Sequence, residues 1–112
     1  MASYEDFLKV EIRAGRVVRA ETFPEARKPA LKLWIDFGPL GVRTSSAQIT
    51  RRYRPEALVG RQVLAVTNFS PRRVAGFESQ VLVLGAVPEG LEEGDVVLAA
   101  LDAEVPPGTR IL

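Results

Sequence analysis

Apolar and polar residues alternate along most of this chain, and five runs of that alternation predict strands. From 10 to 23, Val10, Ile12, Ala14, Arg16 and Val18 take one side, and Glu11, Arg13, Gly15, Val17 and Arg19 the other. A period of two puts successive side chains on opposite faces of a strand. Gly15 in mid-run predicts a bend or bulge. Leu31, Leu33, Ile35 and Phe37 alternate with Lys32, Trp34 and Asp36, the mark of a half-buried strand. Further strands are predicted over 42–46, 62–69 and 80–85, with two short ones in the tail at 96–98 and 109–112.

Two short helices interrupt the pattern. Ser3 caps the first, over residues 3–8, with Asp6 at its third helical position. Tyr4, Phe7 and Leu8 share one face of it. So short a helix is unstable alone, so this face must dock on the body of the protein or on a second subunit. The second helix covers 55–59, with Pro55 in its first turn and Gly60 after its end. Charge-rich residues 24–29 and the Gly38-Pro39-Leu40-Gly41 stretch read as turns. Five principal strands, a short N-terminal helix and a short helix between strands three and four predict an all-β, five-stranded OB-type barrel over residues 1–112 as one domain. A meander or a sandwich is the alternative.

Composition narrows the chemistry. The 112 residues include no cysteine and no histidine. That removes disulfide frameworks, thiol nucleophiles, Ser-His-Asp triads and nearly every zinc site. The acids are scattered and form no calcium loop. With no general base of the usual kind and no phosphate loop, an enzyme is the poorest reading, and no cofactor is expected. Residues 1–10 carry Glu5 and Asp6 and lack the apolar core of a signal peptide. No run approaches the roughly 20 apolar residues that span a bilayer. The expectation is a cytoplasmic protein without membrane insertion.

Net charge is only +1, yet it is unevenly spread. The first 80 residues hold 14 of the 15 basic groups and 8 of the 14 acids, whereas the last 32 hold one basic group and six acids. The front of the chain can present a positive face while the whole stays near neutral. Twelve of the 15 cations are arginine, and there is one asparagine and one methionine. That points to a thermophilic source or to high-GC coding.

The stretch "NFSPRRVAGFESQVLVLG" (68–85) sets Arg72 and Arg73 between two apolar runs. Read as the loop at one mouth of the barrel, residues 70–79 are stiffened by Pro71 and turned by Gly76. The two guanidinium forks then reach toward phosphate, carboxylate or carbonyl groups. The plain alternative is a pair of solvated arginines. Asn68 and Ser79 flank the loop and either touch a ligand or tie the loop to its strands. Phe77 is a plug beneath it. Trp34, on the polar side of its strand, is either a stacking platform or is covered by the N-terminal helix or a partner. Arg13 joins a positive stripe with Arg19, or pairs with Glu11 or Glu21. Arg51, Arg52 and Arg54 form the densest cationic run, a solvated face or an electrostatic guide.

Three blocks, "EIRAGRV" (11–17), "TSSAQIT" (44–50) and "NFSPRRVAGFESQVLVLG", resemble the tRNA-binding domain family, an OB-fold module found alone or appended to some aminoacyl-tRNA synthetases. "FPEARKPALKLWIDFG" (23–38), "SSAQITRRYRPEALVGRQVLAVTNF" (45–69) and "VPPGTRI" (105–111) resemble its CsaA secretion chaperone branch in particular. The resemblance implies a homodimer that binds exported preproteins in an extended or unfolded state. It also implies that Ser46 and Gln48 belong to the pocket edge. The ligand-binding candidates are therefore Arg13, Trp34, Ser46, Gln48, Asn68, Arg72, Arg73, Phe77 and Ser79. Tyr4, Phe7, Leu8, Val97 and Ile111 are the candidates for a dimer interface. Unfolded preproteins or peptides are the expected partners. The alternative is tRNA held on the same positive face.

Overall fold

The structure, a computed structural model, describes residues 1–89 and 95–112. Strands β1 (Ile12–Thr22), β2 (Leu31–Asp36) and β3 (Val42–Ala47) form an antiparallel meander. β4 (Gln62–Val66) returns to pair with β1, and β7 (Leu82–Val83) pairs with β4. The sheet order is β3-β2-β1-β4-β7, the five-stranded, nearly closed barrel of an OB-type fold.

The long β1 curls the sheet. Its first part, Ile12 to Arg16, pairs with β4, and its second part, Arg16 to Thr22, pairs with β2. The register to β2 shifts between Val17 and Arg19, so Val18 is the extra residue of a bulge, which bends the strand. The predicted bend thus falls three residues after Gly15. What Gly15 supplies is clearance. A Cβ there would lie 2.6 Å from Cγ2 of Ile35 and 2.7 Å from Cε1 of Phe37.

The alternation read over 31–37 holds, whereas in β1 Val17, read on the side of Glu11 and Arg13, is buried and Val18, read with Ala14, is exposed at the bulge. Leu31, Leu33, Ile35 and Phe37 are all buried, together with Val17, Val63, Ala65, Val81 and Leu98. Helix α2 (Pro55–Leu58) adds Leu58, which is fully buried in the same cluster. Hydrogen bonds from Val17 N–H to Arg61 C=O (3.0 Å) and from Gly60 N–H to Val17 C=O (2.7 Å) fix the end of α2 to β1.

Helix α1 (Tyr4–Lys9) carries the predicted capping box: Ser3 Oγ accepts from Asp6 N–H, and the Asp6 carboxylate accepts from Ser3 N–H. None of its residues is buried, and Tyr4 stacks only on Phe7. Its apolar face is therefore left partly open, with Phe7 and Leu8 37% and 38% exposed and Tyr4 65%. What holds α1 is its end. Asn68 Nδ2 donates to Lys9 C=O, Asn68 Oδ1 accepts from Glu11 N–H, and Arg110 Nη2 donates to Leu8 C=O.

Several elements differ from expectation. The strand read over 62–69 ends at Val66: Thr67 N–H still donates to Glu11 C=O in register, but Glu11 N–H bonds the Asn68 side chain instead of the chain opposite. The loop read over 70–79 is a hairpin, with β5 (Arg72–Val74) paired to β6 (Phe77–Ser79). Its two turn residues, Ala75 and Gly76, both have positive φ (47° and 82°), the backbone that two-residue hairpins prefer. The strand read over 80–85 is split. β7 stays with β4, while β8 (Gly85–Ala86) pairs with β9 (Val97–Leu98) in the tail. Residues 109–112 form no named strand. They lie along β1 through Ala14 N–H to Thr109 C=O, Ile111 N–H to Ile12 C=O and a single bridge between Arg13 and Arg110.

Candidate ligand-binding cleft

Four antiparallel steps separate β3 from β7 in the sheet, so these two strands run parallel where the barrel should close. They meet at one end. Gln80 N–H and Val81 N–H both donate to Thr44 C=O, at 2.8 and 3.1 Å. Beside this seam lies a cleft of about 700 Å³. Its walls are the end of β3 with Ser46 to Ile49, the β7 pair Leu82 and Val83, the β5 strand with its turn, and residues 26–30.

The β5–β6 hairpin is fastened to β3 by side chains. Ser79 Oγ accepts from Ser46 N–H at 3.0 Å, Gln80 Oε1 accepts from Thr44 N–H at 3.0 Å, and Thr44 Oγ1 donates to Glu78 C=O at 2.7 Å. Ser79 is buried, so its role is to hold the hairpin against β3. This bonding sets Arg72, Arg73, Val74 and Ala75 along the cleft rim. Ser46 and Gln48 line it too. Four of the candidates, Ser46, Gln48, Arg72 and Arg73, thus converge on one cavity.

Phe77 and Trp34 stand beside this group. Val74, in the cleft wall, pairs with Phe77 across the hairpin. The Phe77 ring meets Trp34 edge-on at 5.7 Å and Phe23 edge-on at 5.6 Å. The Lys32 ammonium lies 4.7 Å from the Phe23 ring centre, and the Arg19 guanidinium lies 4.4 Å from that of Trp34. Such cation–aromatic contacts are favourable at half-exposed sites. The N-terminal helix does not cover the indole. Phe77 and Arg19 engage it.

Arg13 and Asn68 lie apart from the cleft. Arg13 Nε bonds Glu11 Oε1 at 2.5 Å, and its Nη1 donates to Gly108 C=O at 2.7 Å. The Arg13 guanidinium beside Glu11 holds that carboxyl below its ordinary range, and Arg110 and Thr67 add to the effect. Both residues serve the junction of α1, β1 and the tail. Of the dimer candidates, Tyr4, Phe7, Leu8 and Val97 are exposed, and Ile111 is half-buried.

Arg27, Lys28, Ile49, Val83 and Val96 line the cleft without having been singled out from the sequence. The charge-rich 24–29 stretch was the available signal for the first two. No residue pattern marks where β7 leaves the barrel.

The fold and the cleft define the class, an OB-type β-barrel module. The chain belongs to the tRNA binding domain family, whose model matches residues 12–110. Its structure is similar to that of chaperone CsaA from Bacillus anthracis, with 59% identity, a TM-score of 0.93, and coverage of 100% of this chain and 99% of the other. It is also similar to the CsaA chaperone of Picrophilus torridus, at 42% identity, TM-score 0.90 and full coverage of both chains. Among sequences, it is 41% identical over 111 residues to the methionine–tRNA ligase of Porphyromonas gingivalis, covering 97% of this chain. It spans only 15% of that ligase.

Proposed function

We propose that this protein is a CsaA-like chaperone that binds extended, unfolded segments of exported preproteins in the cleft between β3, β7 and the β5–β6 hairpin. The observation that carries the proposal is the make-up of that cleft. Ala47, Ile49, Val74, Leu82, Val83 and Val96 give it an apolar floor, and Arg27, Lys28, Arg72 and Arg73 give it a cationic rim. Among its described lining residues there is no carboxylate. Loose apolar contacts with a charged border tolerate many peptide sequences. Basic signal regions would be repelled, so mature segments are the clients. The module is non-catalytic and works in the cytoplasm. It acts as a homodimer joined through Tyr4, Phe7 and Leu8 of α1, with Val97 and Ile111. Trp34, Phe77 and Ser79 support the site from outside the cavity or extend it, whereas Arg13 and Asn68 hold the junction of α1, β1 and the tail.

A second reading is favoured by the family match and the arginine rim: tRNA held through its phosphates on the same face. The two differ in salt response. Titrating the protein with an unfolded preprotein and with tRNA at about 50 and 200 mM salt separates them. Phosphate contacts make log K fall with log salt by a slope of a few units, whereas apolar peptide binding changes little. Preprotein binding in the low micromolar range, weakened by Arg73→Glu and with a salt slope well below that of tRNA, supports the chaperone. Failure to bind either ligand below high micromolar removes both readings.

A further inference from the structure

We infer that Trp34 is a positioning residue for the cleft: its indole, on the outer face of β2, seats the β5 wall and its arginines through the Phe77 ring. The inference rests on the peptide-binding reading above and adds a determinant of affinity outside the cavity.

Strand register places the parts. Leu33 and Ile35, on either side of Trp34, are fully buried, so the indole projects from the opposite, outer face of the sheet. In the hairpin, Arg72 lies opposite Ser79, and Val74 opposite Phe77. A period of two sets these four residues on one face. That face is turned to the barrel. Ser79 is buried and bonded to Ser46 N–H, and the Phe77 ring meets Trp34 and Phe23 edge-on at 5.7 and 5.6 Å. Arg72 and Val74 share the face and line the cleft.

The hairpin therefore has two attachments. The polar one joins residues 78–80 to Thr44 and Ser46. The aromatic one is Phe77, the first residue of β6 after the turn. Among the described residues, β5 hydrogen-bonds only within its own hairpin, so it takes its place beside the cleft through β6. Two strands of three residues do not hold their shape alone. Without the aromatic contact, the arm that carries Arg72 and Arg73 would be fixed at its base and loose at its tip. The indole is itself held. The Arg19 guanidinium lies 4.4 Å from its centre and also pairs with Glu21. The Lys32 ammonium bridges Phe23 and Phe77, at 4.7 and 5.3 Å from their centres. The protein's own cations thus lie where a stacked ligand group would lie, so Trp34 supports the site rather than touching the occupant.

The test uses the full-length protein labelled with ¹⁵N and a cysteine-containing preprotein kept unfolded by reduction and carboxymethylation. Trp34→Leu keeps apolar bulk and removes the ring. It is expected to weaken preprotein binding about fivefold or more, through loss of the edge-on ring pair. In the free protein it is expected to shift the amide resonances of Arg72, Arg73 and Ala75, while those of Leu82 and Leu84 on the opposite wall stay in place. Trp34→Phe, which keeps a ring, is expected to bind within about twofold of wild type. Phe77→Leu breaks the same contact from the hairpin side, and it replaces Trp34→Leu should that variant fail to fold. Because both act through one contact, the double variant is expected to bind no more weakly than either single one. A lower melting temperature with unchanged affinity overturns the inference. Additive losses in the double variant overturn it too, since they mark the indole as a direct ligand contact. Either outcome leaves the chaperone reading intact, whereas a wild-type protein that binds no preprotein removes both.

Discussion

The buried Ser79 hydroxyl accepts the Ser46 backbone N–H at 3.0 Å, so a side chain from the hairpin closes the β3 edge where a neighbouring strand would use a carbonyl. Ser79→Ala leaves that N–H without its partner. The expected cost is about 1–3 kcal/mol, read as a lower urea midpoint with an unchanged slope. Because the same bond holds the arginine rim in position, peptide affinity should fall as well. Ser79→Thr, which keeps the hydroxyl, should retain more of both.

Gly15 lies against Ile35 and Phe37 with no room for a methyl group. Gly15→Ala would force a contact near 2.6 Å with fully buried side chains. Overpacking of this kind costs about 1–3 kcal/mol, and thermal unfolding measures it. Gly60→Ala meets no atom within 4 Å, so its cost comes from the backbone alone at φ 91°.

Among the described residues, Ala75 is the non-glycine residue with positive φ, at 47°. A left-handed residue with a Cβ carries about 1–2 kcal/mol of strain. Ala75→Gly relieves it, and the extra chain entropy of glycine offsets part of the gain. The net expectation is stabilisation of about 0.5–1 kcal/mol, with ligand affinity unchanged or improved.

The Glu11–Arg13 pair makes stability depend on pH. The Arg13 hydrogen bond lowers the folded carboxyl below its unfolded value. A lowered carboxyl contributes stability that is present above the unfolded value and is lost as pH falls through the folded one. Wild-type protein should therefore lose stability across the acid range below about pH 4 more steeply than Arg13→Gln. Urea midpoints taken from pH 7 down to 3 give the comparison. Equal slopes would rule the pair out as a contributor.

Phe7 and Leu8 expose apolar surface on a helix whose apolar face is left partly open. If α1 joins two copies, Phe7→Glu shifts the protein toward monomer in sedimentation at micromolar concentration while the barrel still melts cooperatively. A wild-type protein already monomeric there would refute the dimer.

Much of the barrel was legible because its signal is local. Leu31, Leu33, Ile35 and Phe37 keep strict alternation, and every one is buried. Ser3 and Asp6 form the capping box their spacing announces. The hairpin at 72–79 read as a loop because each arm has only three residues, too few for a period to show. Asn68 looked like a flank of the binding loop, but its partners, Lys9 and Glu11, are 59 and 57 residues away. The cleft was half visible. The arginines and the "SSAQ" turn stood out by residue type, whereas Ile49, Val83 and Val96 are ordinary apolar residues that only the fold brings to the cleft.

The segment around residues 108–111 is laid along β1, with Ile111 bonded to Ile12 and Gly108 to Ala14. Strand β1 is thus flanked by residues that follow it far downstream in the chain. A nascent chain cannot cover this edge of β1 until residue 111 has cleared the ribosome, which at about 5–20 residues per second leaves β1 waiting for several seconds. During that interval a protein proposed to bind extended segments exposes a strand edge of its own.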